Sequence, residues 1–294
     1  MVADEGGPGF RGIGSLLEFA TKVLAPAGML TAVLYYFGYR RAEALYGYFG
    51  LDLGSVGLTT TDYLVRSAGP LFVPLAVVLV TGVVVLILHH LLALLLDRLD
   101  LRGRRVACGV LAGLAFVSLA IGAIGLQRRA EMLAGPLFSP VALAAGALLL
   151  DYAAESSRIR AALPGRVAAV VDSNANLRRG LIAGLLLVAA FWATAGVAQS
   201  RGLAEAQKIE VSLLVEPKAT VYSRQRLQIS APGVRMVRLS GAKESAYAFR
   251  YDGLRLLAHS RGRWFLLPVG WTRTNGASVV LLPESGDIRV DLAP

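Results

Sequence analysis

The residues best suited to binding lie in one aromatic and basic stretch. Residues 35–49 read YYFGYRRAEALYGYF, and six of the ten tyrosines fall between positions 35 and 63. Tyrosine rings favour the headgroup layer of a membrane, and arginine side chains reach into it. The stretch therefore predicts a membrane-interface anchor, with an aromatic-lined recognition groove or pore mouth as the alternative. The candidate residues are Tyr35, Tyr36, Tyr39, Arg40, Arg41, Tyr46 and Tyr48.

Residues that commonly catalyse reactions or bind metals are scarce. The chain has three histidines and one cysteine, Cys108. No acidic residue or cysteine lies within six positions of the pair His89–His90, whose side chains would point about 100° apart on a helix. A phosphate-binding loop, a His-Glu-x-x-His helix and a Gly-x-Ser-x-Gly elbow are all missing from the sequence. We predict that the protein is not an enzyme and has no cofactor or metal site.

The hydropathy pattern predicts the elements that would hold these residues. The chain has 294 residues, of which 55% are hydrophobic and 17% charged. Five stretches of 17 to 30 residues lack charge, and a helix needs about 20 apolar residues to cross a bilayer. The predicted fold class is membrane all-α: about five transmembrane helices followed by a small β-rich C-terminal domain. The predicted spans are about 23–39, 70–96, 106–127, 132–150 and 180–200, after a flexible flank over 1–22.

One segment between the first two spans is harder to place. Residues 42–66 are moderately apolar but contain Glu43, Asp52, Asp62 and Arg66. Charges at mid-bilayer depth are costly, so we predict an interfacial or re-entrant segment. A true span here would reverse the side of the membrane on which the C-terminal domain lies.

The last third of the chain has a strand pattern. Short segments rich in β-branched and aromatic residues alternate with glycine-bearing turns, which predicts a small all-β domain over 208–294. Trp264 and Trp271 are its candidate core or ligand-facing aromatics, with the core role favoured. Arg261 and Arg263 are the candidate ligand-facing basic residues beside them.

The distribution of arginine and lysine predicts the orientation of the protein in the membrane. Counted over the predicted flanks and loops, one side of the membrane holds 11 basic residues and the other holds 5. Cytoplasmic loops are enriched in these residues, so the N-terminus is predicted to be cytoplasmic and the C-terminal domain extracytoplasmic. Residues 201–294 contain 14 basic and 8 acidic residues. Such a surface suits anionic lipid, an anionic wall polymer or an acidic protein, whereas nucleic acid is disfavoured.

Three segments carry a resemblance. The stretches YFGYRRAEALYGYFGLD, TDYLVRS and YDGLRLLAHSRGRWFLLPVGW resemble multi-pass membrane proteins of high-GC actinobacteria that have no assigned activity. The resemblance implies a plasma-membrane location and identifies no functional residue.

These observations predict a multi-pass plasma-membrane protein in contact with the lipid bilayer. It would present a basic β-domain outside the cell and act in binding, scaffolding or sensing. The alternatives are an oligomeric channel or transporter and an accessory subunit of a larger membrane machine, and homo-oligomers are compatible with each.

Overall fold

The computed structural model describes residues 25–125, 135–155, 175–239 and 246–294. Several predictions fall outside these ranges: the flank 1–22 and the basic residues Arg128, Arg129, Arg158, Arg160 and Arg166. The side chains of His89 and Cys108 are also outside the description. The helices of the described ranges are α1 (Ala25–Tyr48), α2 (Leu53–Val56), α3 (Thr60–Asp97), α4 (Leu101–Gly125), α5 (Phe138–Glu155) and α6 (Ala175–Val211).

The C-terminal strands form one antiparallel sheet. Its strand order is β5-β4-β3-β1-β6, and β2 pairs with β3 beside that path. The longest strand, β3, turns back into β4 at Arg261-Gly262, where both residues have positive φ. The strands are β1 (Lys218–Ser223), β2 (Arg235–Arg238), β3 (Phe249–Ser260), β4 (Arg263–Pro268), β5 (Val280–Pro283) and β6 (Ile288–Ala293).

The predicted fold class, a membrane all-α protein with about five transmembrane helices, is wrong. The protein has mixed α and β structure, and one described helix, Asn176–Val211, is long and apolar enough to cross a membrane. A stretch without charge does not guarantee a continuous apolar helix of spanning length. The other apolar helical runs in the described residues are shorter: Val83–Leu96, Gly109–Gly125 and Phe138–Tyr152.

The chain divides into two compact units. The first contains residues up to Leu34 and Ser67–Val197, and the second contains Tyr35–Arg66 and Ala198–Pro294. The second unit is therefore built from two distant parts of the sequence. The segment 42–66, for which we predicted an interfacial or re-entrant position, belongs to the unit that contains the sheet.

Local side-chain chemistry fixes the helix ends in the second unit. Asp52 caps α2 by accepting a hydrogen bond from the Gly54 amide at 2.8 Å, and Gly57 ends that helix with φ 67°. Thr59 and Asp62 form a reciprocal cap at the start of α3, with each accepting from the other's backbone amide. These hydrogen bonds from Thr59 lower the pKa of the Asp62 carboxyl.

Two apolar cores lie in the second unit. The first packs residues of α1, α2 and the turn between them, among them Tyr46, Phe49 and Val56, against the sheet residues Phe265 and Leu267. The second core is centred on other sheet residues, and the segment around Leu227 and Ile229 packs against it. The buried residues of the second core are Ala219, Val221, Tyr251, Leu254, Leu266 and Leu282.

In the first unit, α4 and α5 pack closely through small residues. A Cβ at Gly122 would lie 2.8 Å from the Leu143 side chain, and one at Gly146 would lie 2.9 Å from the Leu119 nitrogen. Gly122 and Gly146 therefore lie in the contact between α4 and α5. At Gly109 and Gly180, an added Cβ would meet no atom within 4 Å.

Candidate functional site

Glycines allow the helical segments of the second unit to approach each other closely. A Cβ at Gly38 of α1 would lie 2.1 Å from the carbonyl oxygen of Tyr63 in α3. A Cβ at Gly202 of α6 would lie 2.3 Å from the carbonyl oxygen of Arg41 in α1. Neither distance is compatible with a side chain, so both contacts require glycine. The close packing brings the aromatic stretch of α1 against α3 and α6.

The two adjacent arginines of the aromatic stretch bind protein groups. Arg41 donates to the carbonyl oxygen of Arg66 at 2.8 Å and forms an ion pair with Glu205. Arg40 pairs with Glu43 on the same helix and donates to the Gln199 side chain at 3.4 Å. Arg41 thereby links α1 to α3 and α6. Both guanidinium groups therefore have partners within the second unit.

The tyrosines of α1 lie in two different environments. Tyr35 and Tyr39 are more than a third exposed, and their rings lie 5.5 Å and 5.8 Å from the ring of Tyr63. Burial raises the pKa of Tyr63. Tyr46 is buried and its hydroxyl accepts a hydrogen bond from Arg66 at 3.1 Å, whereas Tyr36 is half-buried. The exposed rings form a small aromatic surface, and Tyr46 belongs to the core.

Tyr48 joins three parts of the second unit. Its hydroxyl donates to the carboxylate of Glu210 on α6, and the Arg273 guanidinium lies 4.5 Å from the centre of its ring. The other oxygen of Glu210 accepts from the Arg273 amide at 2.9 Å. The hydrogen bond from Tyr48 lowers the pKa of Glu210, and the same bond raises the pKa of Tyr48.

We expect this contact to make stability depend on pH in the acid range. Because the pKa of Glu210 is depressed in the folded state, its contribution is present above the usual carboxyl pKa of 4.5 and is lost as pH falls. Tyr48→Phe removes the hydrogen bond that is the largest cause of the lowered pKa of Glu210. Denaturant unfolding at pH 7 and pH 3 should show a smaller loss of stability for Tyr48→Phe than for the parent protein. An equal loss in both would contradict the assignment.

Trp271 is part of the first core. Its side chain is 5% exposed, and its ring lies 4.7 Å from Phe49 and 6.1 Å from Tyr48. Its indole Nε1 is buried and has no hydrogen-bond partner in the described residues. Trp271 therefore holds the loop after β4 against the end of α1.

The other candidates in the tail lie near the β3–β4 turn. Trp264 is half-buried and stacks on His259 with ring centres 4.0 Å apart, and His259 lies 3.3 Å from Glu284. Arg261 and Arg263 are exposed. The Arg261 side chain lies over Gly57, where an added Cβ would be 2.6 Å from its Cδ. Trp264 therefore packs on the second core and Trp271 belongs to the first, although the sequence predicts the same role for both.

An open groove is the site that sequence reasoning missed. It has a volume of about 390 Å³ and lies between the segment Leu227–Pro232 and the region of β5. Leu227, Ile229 and Leu282, which belong to or pack on the second core, give it an apolar floor. The side chains of Gln228, Ser230 and Ser278 add polar groups. The segment Leu227–Ser230 has the alternation of a strand in its sequence but forms no strand, and it lines one side of the groove instead.

The edge of β5 borders this groove. β5 is the last strand on its side of the sheet among the described residues. The Glu284 amide donates to Gly262 at 2.7 Å and extends the β4–β5 register, in which Trp264 faces Leu282. Since bonded pairs alternate in an antiparallel ladder, Val280 and Leu282 bond to β4, and the N–H and C=O of Leu281 point away from the sheet. The groove therefore has free backbone groups along one side.

The described residues contain no group of three histidine, cysteine or acidic side chains able to hold a metal ion. The prediction that the protein is not an enzyme, and its resemblance to actinobacterial membrane proteins, stay predictions. No protein-family model, curated protein or solved structure matches this chain.

Proposed function

We propose that this protein is anchored in the plasma membrane by α6 and binds a partner protein outside the cell with its second unit. In this arrangement the chain also crosses the membrane between residues 66 and 175, because residues 35–66 of the second unit precede α6 in the sequence. The partner would supply an extended, apolar segment of its chain to the groove beside β5. The observation that carries the proposal is this open apolar groove bordered by a free strand edge.

The membrane part of the proposal rests on the exposure of α6. The most apolar window of Asn176–Val211 is only 17% buried, whereas the core helix of a soluble protein is mostly buried. Its charge-free part, residues 180–200, has the length needed to cross a bilayer. The first unit also exposes large apolar side chains such as Phe116 and Val106, which favour an apolar environment.

The length of α6 fits a helix that continues beyond the membrane. Its 37 residues extend about 55 Å, compared with about 30 Å for the hydrocarbon core. Residues after Ser200 include Glu205 and Glu210, which bind Arg41 and Tyr48 in the second unit. Five arginines lie between residues 151 and 179 and two basic residues lie in 201–215, so the positive-inside rule favours a second unit outside the cell.

Arginines in the middle of α6 should prevent this helix from crossing the membrane. Each arginine at the centre of a spanning helix costs about 2.5–3.5 kcal/mol, so a compartment-sensitive reporter after Pro294 should report the cytoplasm in the double variant Leu187→Arg/Val188→Arg. Leu187→Ala/Val188→Ala keeps α6 apolar and is the matched control. The reporter should report the outside in this control and in the parent protein. An outside signal from the arginine variant, or a cytoplasmic signal from the parent protein, would overturn this part of the proposal.

Peptide binding can be tested through the backbone of Leu281. Added strands bind mainly through main-chain hydrogen bonds, so Leu281→Pro removes the outward donor and leaves the ladder to β4 intact. The probe is a fluorescent peptide of alternating valine and threonine with blocked ends, added to the full-length protein in detergent. We expect Leu281→Pro to weaken binding at least about tenfold, equivalent to about 1.4 kcal/mol.

Leu281→Ala keeps the amide and is the matched control, so its affinity should stay close to that of the parent protein. The peptide-binding proposal is overturned if the parent protein does not bind the probe. It is also overturned if Leu281→Pro binds as tightly as the parent, because the edge of β5 would then make no contribution.

A further inference from the structure

The second free edge of the sheet is β6. β6 is the last strand on its side of the sheet in the described residues and pairs with β1 on its inner side. The Arg224 amide donates to the Asp287 carbonyl at 3.1 Å, which continues the β1–β6 register by one pair. By the antiparallel alternation, Arg289 and Asp291 bond to β1. The backbone groups of Val290 and Leu292 therefore point away from the sheet.

The side chains of β6 are self-complementary about the centre of the strand. Residues 288–292 read IRVDL, which is apolar, basic, apolar, acidic and apolar around Val290. Ile288 and Val290 pack on the second core, and Leu292 on the same face is 47% exposed. Arg289 and Asp291 lie on the opposite face, where the Arg289 Nε donates to Asp291 at 2.8 Å.

We propose that β6 pairs antiparallel with β6 of a second copy of this chain, about a two-fold axis at Val290. The outward N–H and C=O of Val290 would then bond to the same groups of its copy. Each Arg289 would face the Asp291 of the other copy, so that the two ion pairs become a network of four charges. Ile288 would face the copy's Leu292, and the second core would continue from one copy into the other. The contact is isologous, as a two-fold axis requires.

Charge selects this register over its neighbours. Moving the axis to position 289 would place Arg289 opposite its own copy, and moving it to position 291 would place Asp291 opposite its own copy. Like charges directly opposite each other destabilise a strand pair. The axis at Val290 pairs residues 287–293 with 293–287, so it also uses the whole of β6. The free edge of a short strand is a natural template for such pairing.

Cysteine cross-linking tests the register directly. In a Cys108→Ser background, Val290→Cys places two cysteines opposite each other with Cα atoms about 5.5 Å apart, a separation that a disulfide spans. Oxidation of the full-length protein in mild detergent should give a covalent dimer. Ile288→Cys and Leu292→Cys should not cross-link alone but should cross-link when the two proteins are mixed. Preferred cross-linking at 289 or 291, or none at any of these positions, would overturn the proposal.

Charge reversal provides a second, independent readout. Asp291→Arg places arginines opposite each other twice in the dimer, so we expect its dissociation constant to rise by about tenfold or more. Arg289→Asp/Asp291→Arg exchanges the two charges and should restore the dimer. The side chains of Arg289 and Asp291 are 62% and 42% exposed and belong to neither core, and circular dichroism checks that the variants fold. Equal dimerisation of all three proteins would show that these residues do not face each other.

Discussion

Replacing Trp271 with alanine is expected to lower the free energy of unfolding by about 3–5 kcal/mol, the range for large aromatic residues in a core. The substitution removes the contacts of the indole with Phe49 and Tyr48 and leaves a cavity between the loop after β4 and the end of α1. Unfolding of the full-length protein in denaturant, followed by far-ultraviolet circular dichroism, would measure the change.

Two further substitutions separate packing from hydrogen bonding at this position. Trp271→Phe keeps most of the ring contacts and removes an indole N–H that is buried without a partner in the described residues, so it should cost much less than alanine. Trp264→Ala should also cost less, since Trp264 is only half-buried. If Trp264→Ala were the more destabilising variant, the assignment of Trp271 to the core would be wrong.

The second large effect is expected at Gly38. In Gly38→Ala the new Cβ would lie 2.1 Å from the Tyr63 carbonyl oxygen, which belongs to the backbone and cannot rotate away. Overpacking of this kind costs about 1–3 kcal/mol, because α1 and α3 must move apart. The change should also disturb the ring cluster of Tyr35, Tyr39 and Tyr63. Denaturant unfolding measures the cost, and tyrosine fluorescence reports the cluster.

Gly47→Ala is a control that is expected to change the stability in the opposite direction. Gly47 lies on the same helix, and an added Cβ there would meet no atom within 4 Å. Gly47→Ala should therefore stabilise the protein by about 0.4–1 kcal/mol, by restricting the unfolded chain. A destabilised Gly47→Ala, or a Gly38→Ala protein as stable as the parent, would contradict the close approach of α1 and α3.

The strands could be read from the sequence because their signals are local. The segments TVYS, RWFLLPV and IRVDL coincide with β1, β4 and β6, where β-branched and aromatic residues lie between turns. The segment VSLLVE, which has the same composition, begins at the last residue of α6 and contains no strand. Only its first residue, Val211, is helical, and residues 212–216 form the turn that connects α6 to β1.

The aromatic stretch could not be placed because its partners are distant in sequence. Tyr46 and Tyr48 are amphipathic rings that suit a membrane interface as well as a protein core. What decides between them is the presence of Arg66, Glu205, Glu210 and Trp271 nearby, and no local pattern predicts those contacts. Similarly, the absence of charge from a segment does not predict a helix that spans the membrane, because it does not show where the helix begins and ends.

The division of the second unit between two parts of the chain has a consequence for biosynthesis. Residues 35–66 leave the ribosome first, and residues 67–197 must be synthesised before the sheet residues follow. At about 5–20 residues per second, the helical half of the first core would wait on the order of ten seconds for its partner. During that interval Tyr46, Phe49 and Val56 lack the surface of Phe265 and Leu267. A chaperone or the translocation machinery would then have to shield this segment, and a recombinant fragment that begins at residue 208 would expose the opposite half of the same core.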